Sequence, residues 1–155
     1  KRMPNQKYGI TFPFKDSQEG LFLSANSLPD NEVRSNLMHL ILTLKGSRYF
    51  LPDFGTNLMR YIFEPLDGGT KKIIDKEIRE SVKKFIPNLQ ITKVDVKTLE
   101  DIKIEEETQT LDGGVDDKTF NFVGELQEDY TIRIRIDYSV GSDVFESTDF
   151  VVINL

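Results

Sequence analysis

The chain has 155 residues, no cysteine, a single histidine (His39), and 20 Lys plus Arg against 26 Asp plus Glu, for a net charge of −6. That length suits one domain whose core stands without disulfides, and the missing thiols and lone imidazole exclude thiol catalysis, cysteine-ligated metals, iron–sulfur clusters and a histidine-rich metal site. The acidic balance argues against nucleic acid as a partner, no run of about 18 apolar residues offers a membrane span, and the first residues, KRMPNQKYGITF, lack the apolar stretch of a signal peptide.

Residues 1–27 read as an extended segment. Tyr8, Ile10, Phe12 and Phe14 share one parity, Pro13 marks an edge rather than a central strand, and KDSQEG at 15–20 is a turn. These aromatics cover the chain's own core or lie on a neighbour, with self-covering preferred. Val33, Leu37, Leu40, Ile41 and Leu44 follow the spacing of an amphipathic helix over about 29–45. Ser27 with Asp30, or Asp30 alone, caps it, and Gly46 takes the left-handed position after its end. His39 reads as a surface or partly buried helical residue.

GSRYFLPDFG, residues 46–55, is a loop whose Tyr49, Phe50, Leu51 and Phe54 are too apolar to leave in water. Thr56 caps a short helix to about 64, with Leu58, Met59, Ile62 and Phe63 inward and Pro65 ending it. Thr70 caps a third helix over about 70–86, with Ile74, Ile78, Val82, Phe85 and Ile86 inward. Its other face pairs Asp75 with Arg79 and Glu80 with Lys84, and Pro87 stops it.

The period then changes to two. Leu89 and Ile91 alternate, the parity slips at Thr92 and Lys93, and Val94, Val96, Ile102 and Ile104 share the new parity, which requires a bulge. Residues 105–127 form an acidic insertion, with a reversal at 112–114. Phe120 and Phe122 begin a strand. Residues 130–140 are the clearest strand, with Tyr130, Ile132, Ile134, Ile136, Tyr138 and Val140 on one face and Thr131, Arg133, Arg135, Asp137 and Ser139 on the other. A last strand covers 150–155. Helices followed by strands make an α+β fold, with helices on one face of a mostly antiparallel sheet and strand-rich termini, in a single domain over 1–155.

Catalysis finds little footing. Glu105, Glu106 and Glu107 are a charge run, and Asp112, Asp116 and Asp117 lack EF-hand spacing. Gly68 and Gly69 are not followed by the GK[ST] of a phosphate loop. Asp53 and Glu64 are an imaginable glycosidase pair with no groove to place them across. Arg48, flanked by apolar residues, is held against carboxylates or helix-end carbonyls; it either staples the loop to its own domain or bridges to a partner. No catalytic residue, cofactor or metal is assigned.

KGSRYFLPDFGTNLMRYIFEP, residues 45–65, resembles the signature of the baseplate-wedge, sheath-initiator family of contractile-tailed phages, which includes the related subunit of type VI secretion systems. The matching positions are Gly46, Ser47, Arg48, Pro52, Phe54, Gly55, Leu58, Ile62, Phe63 and Glu64, and the later order of elements agrees through about residue 140. One departure stands out. The family's Glu-Pro-Arg after the longer helix is here Ile86-Pro87-Asn88, so only Pro87 matches and the charged docking pair is absent.

The resemblance implies a non-enzymatic structural subunit of a virion's tail baseplate, assembled in the host cytoplasm. Its implied partners are baseplate wedge subunits and the tail sheath protein, with no nucleic acid, and it is monomeric alone and in multiple copies in the particle. It would start the sheath by offering a sheet edge, expected at Phe150, Val151, Val152, Ile153 and Leu155, or else at 8–14. The other readings are a subunit of a type VI or other contractile injection particle, a peptidoglycan hydrolase, and an isolated peptide-binding module.

Overall fold

The computed structural model describes residues 7–17, 22–26, 28–98, 101, 119–121, 132–141 and 146–155. Its elements are α1 (Pro29–Leu42), α2 (Leu58–Tyr61), α3 (Gly68–Phe85), β1 (Leu89–Thr98), β2 (Thr119–Asn121), β3 (Ile132–Gly141) and β4 (Glu146–Asn154). The sheet order is β1-β3-β4-β2, with β1 and β4 antiparallel to β3 and β2 parallel to β4. This is the expected α+β arrangement.

The two-residue period of β3 explains the core. Ile134 sits between Val96 and Ile153, and Ile136 between Val94 and Val151, so each row runs across three strands on one face. That face joins Leu37, Leu40 and Ile41 of α1, Leu58 of α2, and Ile74, Ile78 and Val82 of α3 in one buried cluster. The opposite face carries Arg133, Arg135 and Asp137, with Arg135 held to Asp137 at 3.0 Å. The parity slip in β1 is a register shift between Ile91 and Lys93. The Arg79 guanidinium, paired with Asp75 at 2.9 Å, donates to the Ile91 carbonyl at 2.8 Å and braces the bulge from α3.

Several local expectations are corrected. The first helix stops at Leu42, because Thr43 turns extended and both its backbone N–H and its hydroxyl donate to the His39 carbonyl. Asp30 lies within that helix, whose N-cap, Leu28, makes no side-chain cap bond; Pro29 at the start supplies a preset φ instead. Ser27 lies outside the described residues. Asp67, not Thr70, caps α3 by accepting from the Thr70 N–H at 2.7 Å, and that bond holds its carboxyl below the ordinary range. Thr56 is no cap either: its hydroxyl donates to the Ile41 carbonyl in the interior. The short helix is a single turn, and Phe63, expected inward, is 80% exposed. Lys84 leaves Glu80 for Asp53 at 2.9 Å, and Glu80 meets Lys76 instead. Ile102, Ile104, the acidic stretch before residue 119, Phe122 and Tyr130 lie outside the described residues.

The N-terminal segment covers its own domain. Residues 8–16 and 23–26 pair as a short ribbon, with Tyr8 donating to the Asn26 carbonyl and Thr11 to the Ser24 carbonyl, each at 3.0 Å. Ser35 on α1 accepts from the Phe12 N–H and from the buried Asn26 amide, which fixes the ribbon to the helix.

Candidate functional site

The expected signature positions converge on the link between α1 and α2. At its root, Thr56 donates its N–H to the Thr43 carbonyl and Lys45 donates to the Thr56 carbonyl, so residues 43–45 and 56 clasp in a short parallel bridge. Gly46 donates to the Pro52 carbonyl at 2.7 Å and closes the lobe above the clasp. Gly46 and Gly55 both hold positive φ, +90° and +114°. Ser47 donates its N–H to the Leu44 carbonyl. Ser81 of α3 donates to the Gly55 carbonyl at 3.2 Å, and Asp53 meets Lys84, so α3 grips the far side of the loop.

Arg48 is an internal staple, but not to a carboxylate or helix end as expected. Its Nη2 donates to His39 Nε2 at 2.9 Å, and its guanidinium lies 3.9 Å from the centre of the Phe54 ring. A guanidinium only donates, so Nε2 is the acceptor and the His39 proton sits on Nδ1. His39 stacks on Phe12 at 5.3 Å and meets Phe54 edge-on, and Phe54 continues to Phe85 at 5.1 Å. One aromatic column therefore ties the N-terminal ribbon, α1, the signature loop and α3 together.

His39 is partly buried in α1, as expected, but its role as acceptor for Arg48 leaves no sign in the sequence. Its lack of a second histidine or an acid argued against catalysis, yet its position one turn before the end of α1 places it under Arg48. Glu77 was missed as well: its carboxylate accepts the Asn57 N–H at 2.7 Å and the Tyr61 hydroxyl at 3.1 Å, which seats α2 on α3. The i, i+4 helical spacing gives no sign of such an acceptor, since both donors come from another element.

Burial, and secondarily the Arg48 charge, hold the His39 imidazole below its ordinary 6.5. The folded state thus binds fewer protons than the unfolded one. Stability from this contact is complete above about pH 6.5 and declines as pH falls through the folded value. Arg48→Ala is expected to cost about 1–2 kcal/mol, read as a lower melting midpoint at neutral pH. By NMR titration His39 should move up toward 6.5 in that variant and still stay below it, because burial is the larger cause.

The remaining positions divide. Tyr49 and Phe50 do not turn inward as expected; they are 94% and 95% exposed, while Phe54 alone carries the loop into the core. Glu64 is exposed after α2, and Pro87 lies in the turn after α3, where the Leu89 N–H donates to the Ile86 carbonyl. Asp53 is held ionised by Lys84, below the ordinary carboxylate range, the reverse of what a glycosidase acid requires. Val151, Ile153 and Leu155 are buried, and Phe150 and Val152 are half-buried with Arg135 over the Phe150 ring at 4.3 Å. Residues 152–154 are paired on both sides, by β3 and by β2, so that part of the last strand is interior to the sheet rather than its edge. Among the described residues, the long strand that ends the sheet is β1.

The sequence profile of the family described as baseplate wedge protein gp25 matches residues 29–116, which take in α1, α2, α3, the braced loop and β1. Baseplate wedge protein gp25 of Enterobacteria phage T4 is 31% identical over 72 residues, or 46% of this chain and 54% of that protein. The matched stretch thus spans about half the length of that relative. A putative tail lysozyme from Geobacter sulfurreducens shares the fold with a TM-score of 0.55 and 17% identity, over 85% of this chain and 96% of that one. A chain of the anti-feeding prophage baseplate does so with a TM-score of 0.52 and 16% identity, over 93% and 82%. Identities so low establish fold alone, and the lysozyme label belongs to the Geobacter protein. With residues 29–116 of 155 matched, more than half of its length, this chain belongs to the baseplate wedge protein gp25 family.

Proposed function

We propose that this chain is a non-enzymatic, wedge-like structural subunit of a contractile-tail or injection-particle baseplate, which starts the sheath by lending the outer edge of β1 to the first sheath subunit. The family match carries the assembly role. Among the described residues β1 ends the sheet, which supports its choice over β4 as the lending strand. An extended segment laid along such an edge gains main-chain hydrogen bonds, and its side chains set register. The bulge at Ile91 and Lys93 and the paired charges of Asp95 and Lys97, 3.4 Å apart, guard the edge against indiscriminate pairing before the partner arrives. In this reading the subunit is monomeric alone, acts as one domain over 1–155, and docks on wedge subunits in the virion's tail baseplate in multiple copies after synthesis in the host cytoplasm. The signature loop is its structural brace.

Successive N–H groups along a strand point to opposite sides. Of Val94→Pro and Asp95→Pro, one therefore removes a ladder bond to β3 and the other only an outward donor. The first should lower the melting midpoint strongly. The second should fold, enter baseplates, and recruit sheath poorly when particles are imaged. A folded outward-facing variant that still starts full-length sheaths would remove β1 from this role.

A further inference from the structure

We propose that the loop tip formed by Tyr49, Phe50 and Leu51 is an anchor that enters an apolar pocket rimmed by carboxylates on another subunit of the same particle. Among the described residues, Tyr49 and Phe50 are the most exposed large apolar side chains, and their rings pack edge to face at 5.5 Å as one knob. The knob is presented on a rigid stem. Gly46 closes the loop on Pro52, the Phe54 N–H donates to the Leu51 carbonyl at 3.0 Å, and Arg48 is clamped between His39 and Phe54. The fold thus packs Phe54 against the core while holding Tyr49 and Phe50 outward. Rigid, pre-placed aromatics lose little entropy on binding and are the residues that dominate interfaces.

The charge around the knob indicates what receives it. In a chain of net −6, Lys45 and Arg48 flank the base of the loop tip, and Lys84 reaches the loop from α3. Asp53, the nearby carboxylate, is ion-paired with Lys84 and also feels Lys45. The collar is therefore cationic, and a complementary pocket carries carboxylates at its rim. A second copy is a poor occupant, since a two-fold contact through the tip would bring collar against collar. The overall negative charge disfavours an anionic lipid surface.

This inference rests on the assembly reading but uses a surface separate from the β1 edge. The test co-expresses the tagged full chain with the other baseplate subunits of its particle and measures how much of them it retains. Tyr49→Ser with Phe50→Ser should lower retention by roughly tenfold or more and leave the melting midpoint in place, because neither ring is buried. Lys45→Glu should also lower it, and retention by the unaltered chain should weaken between about 0.05 and about 0.5 M salt. Equal retention by the double serine variant and the unaltered chain overturns the anchor and leaves the assembly reading standing. No retention by the unaltered chain overturns both. If the serine variant loses only self-association by light scattering, or only binding to phosphatidylglycerol vesicles, the tip serves a second copy or a lipid surface and the proposal is likewise overturned.

Discussion

Removal of residues 150–155 is expected to unfold the protein rather than strip it of a partner contact. Val151 and Ile153 are 0% exposed and lie opposite Ile136 and Ile134, and Leu155 exchanges backbone hydrogen bonds with Ile132 at 2.9 and 3.1 Å. Three buried aliphatic side chains contribute about 1.5–3 kcal/mol each. Their loss also leaves β3 with backbone groups unpaired along one side, against a total stability of roughly 5–15 kcal/mol for a domain. Circular dichroism should show no cooperative thermal transition. A milder version separates the two faces of the strand. Ile153→Ala should cost about 3–4 kcal/mol, while Val152→Thr, on the half-buried opposite face, should cost under about 1 kcal/mol. A truncated chain that melts cooperatively near the normal midpoint would contradict the interior placement of β4.

Gly55→Ala is the second large effect, and Gly46→Ala is its control. Both glycines hold positive φ, so each alanine meets the left-handed backbone cost of about 1–2 kcal/mol. At Gly46 nothing lies within 4 Å of the added Cβ, and the cost ends there. At Gly55 the Cβ would collide with the Thr43 carbonyl oxygen, which is the acceptor for the Thr56 N–H and cannot move without opening the clasp. The overpacking adds about 1–3 kcal/mol. Gly55→Ala should therefore lower stability by about 2–5 kcal/mol in total, and its melting midpoint by about 10 °C, roughly two to three times the effect of Gly46→Ala. Equal midpoints for the two variants would show that the clasp yields without cost.

The sequence by itself determined the α+β class, the three helices, the bulge in β1 and the buried parity of β3, because each is written in spacing along one segment. Ile74, Ile78 and Val82 mark a helix face, and Ile132, Ile134 and Ile136 mark a strand face, whatever they pack against. Residues 45–65 also declared the family, since a Gly-Ser-Arg turn, Pro-x-Phe-Gly and Phe-Glu-Pro keep their order in any fold. Only the tertiary structure decided partners. An apolar run such as 150–155 reads alike at an edge or at the centre of a sheet, because side-chain alternation does not record which strand lies beside the backbone. Arg48 found an imidazole nine residues back, Lys84 found Asp53 across the loop instead of Glu80 along its helix, and Glu77 gathered donors from α2. In the loop, Phe54 went inward and Tyr49 and Phe50 outward although all three are large aromatics. Phe54 sits against His39 of α1 and Phe85 of α3, contacts made by elements far apart in the chain, which the residues of the loop do not record.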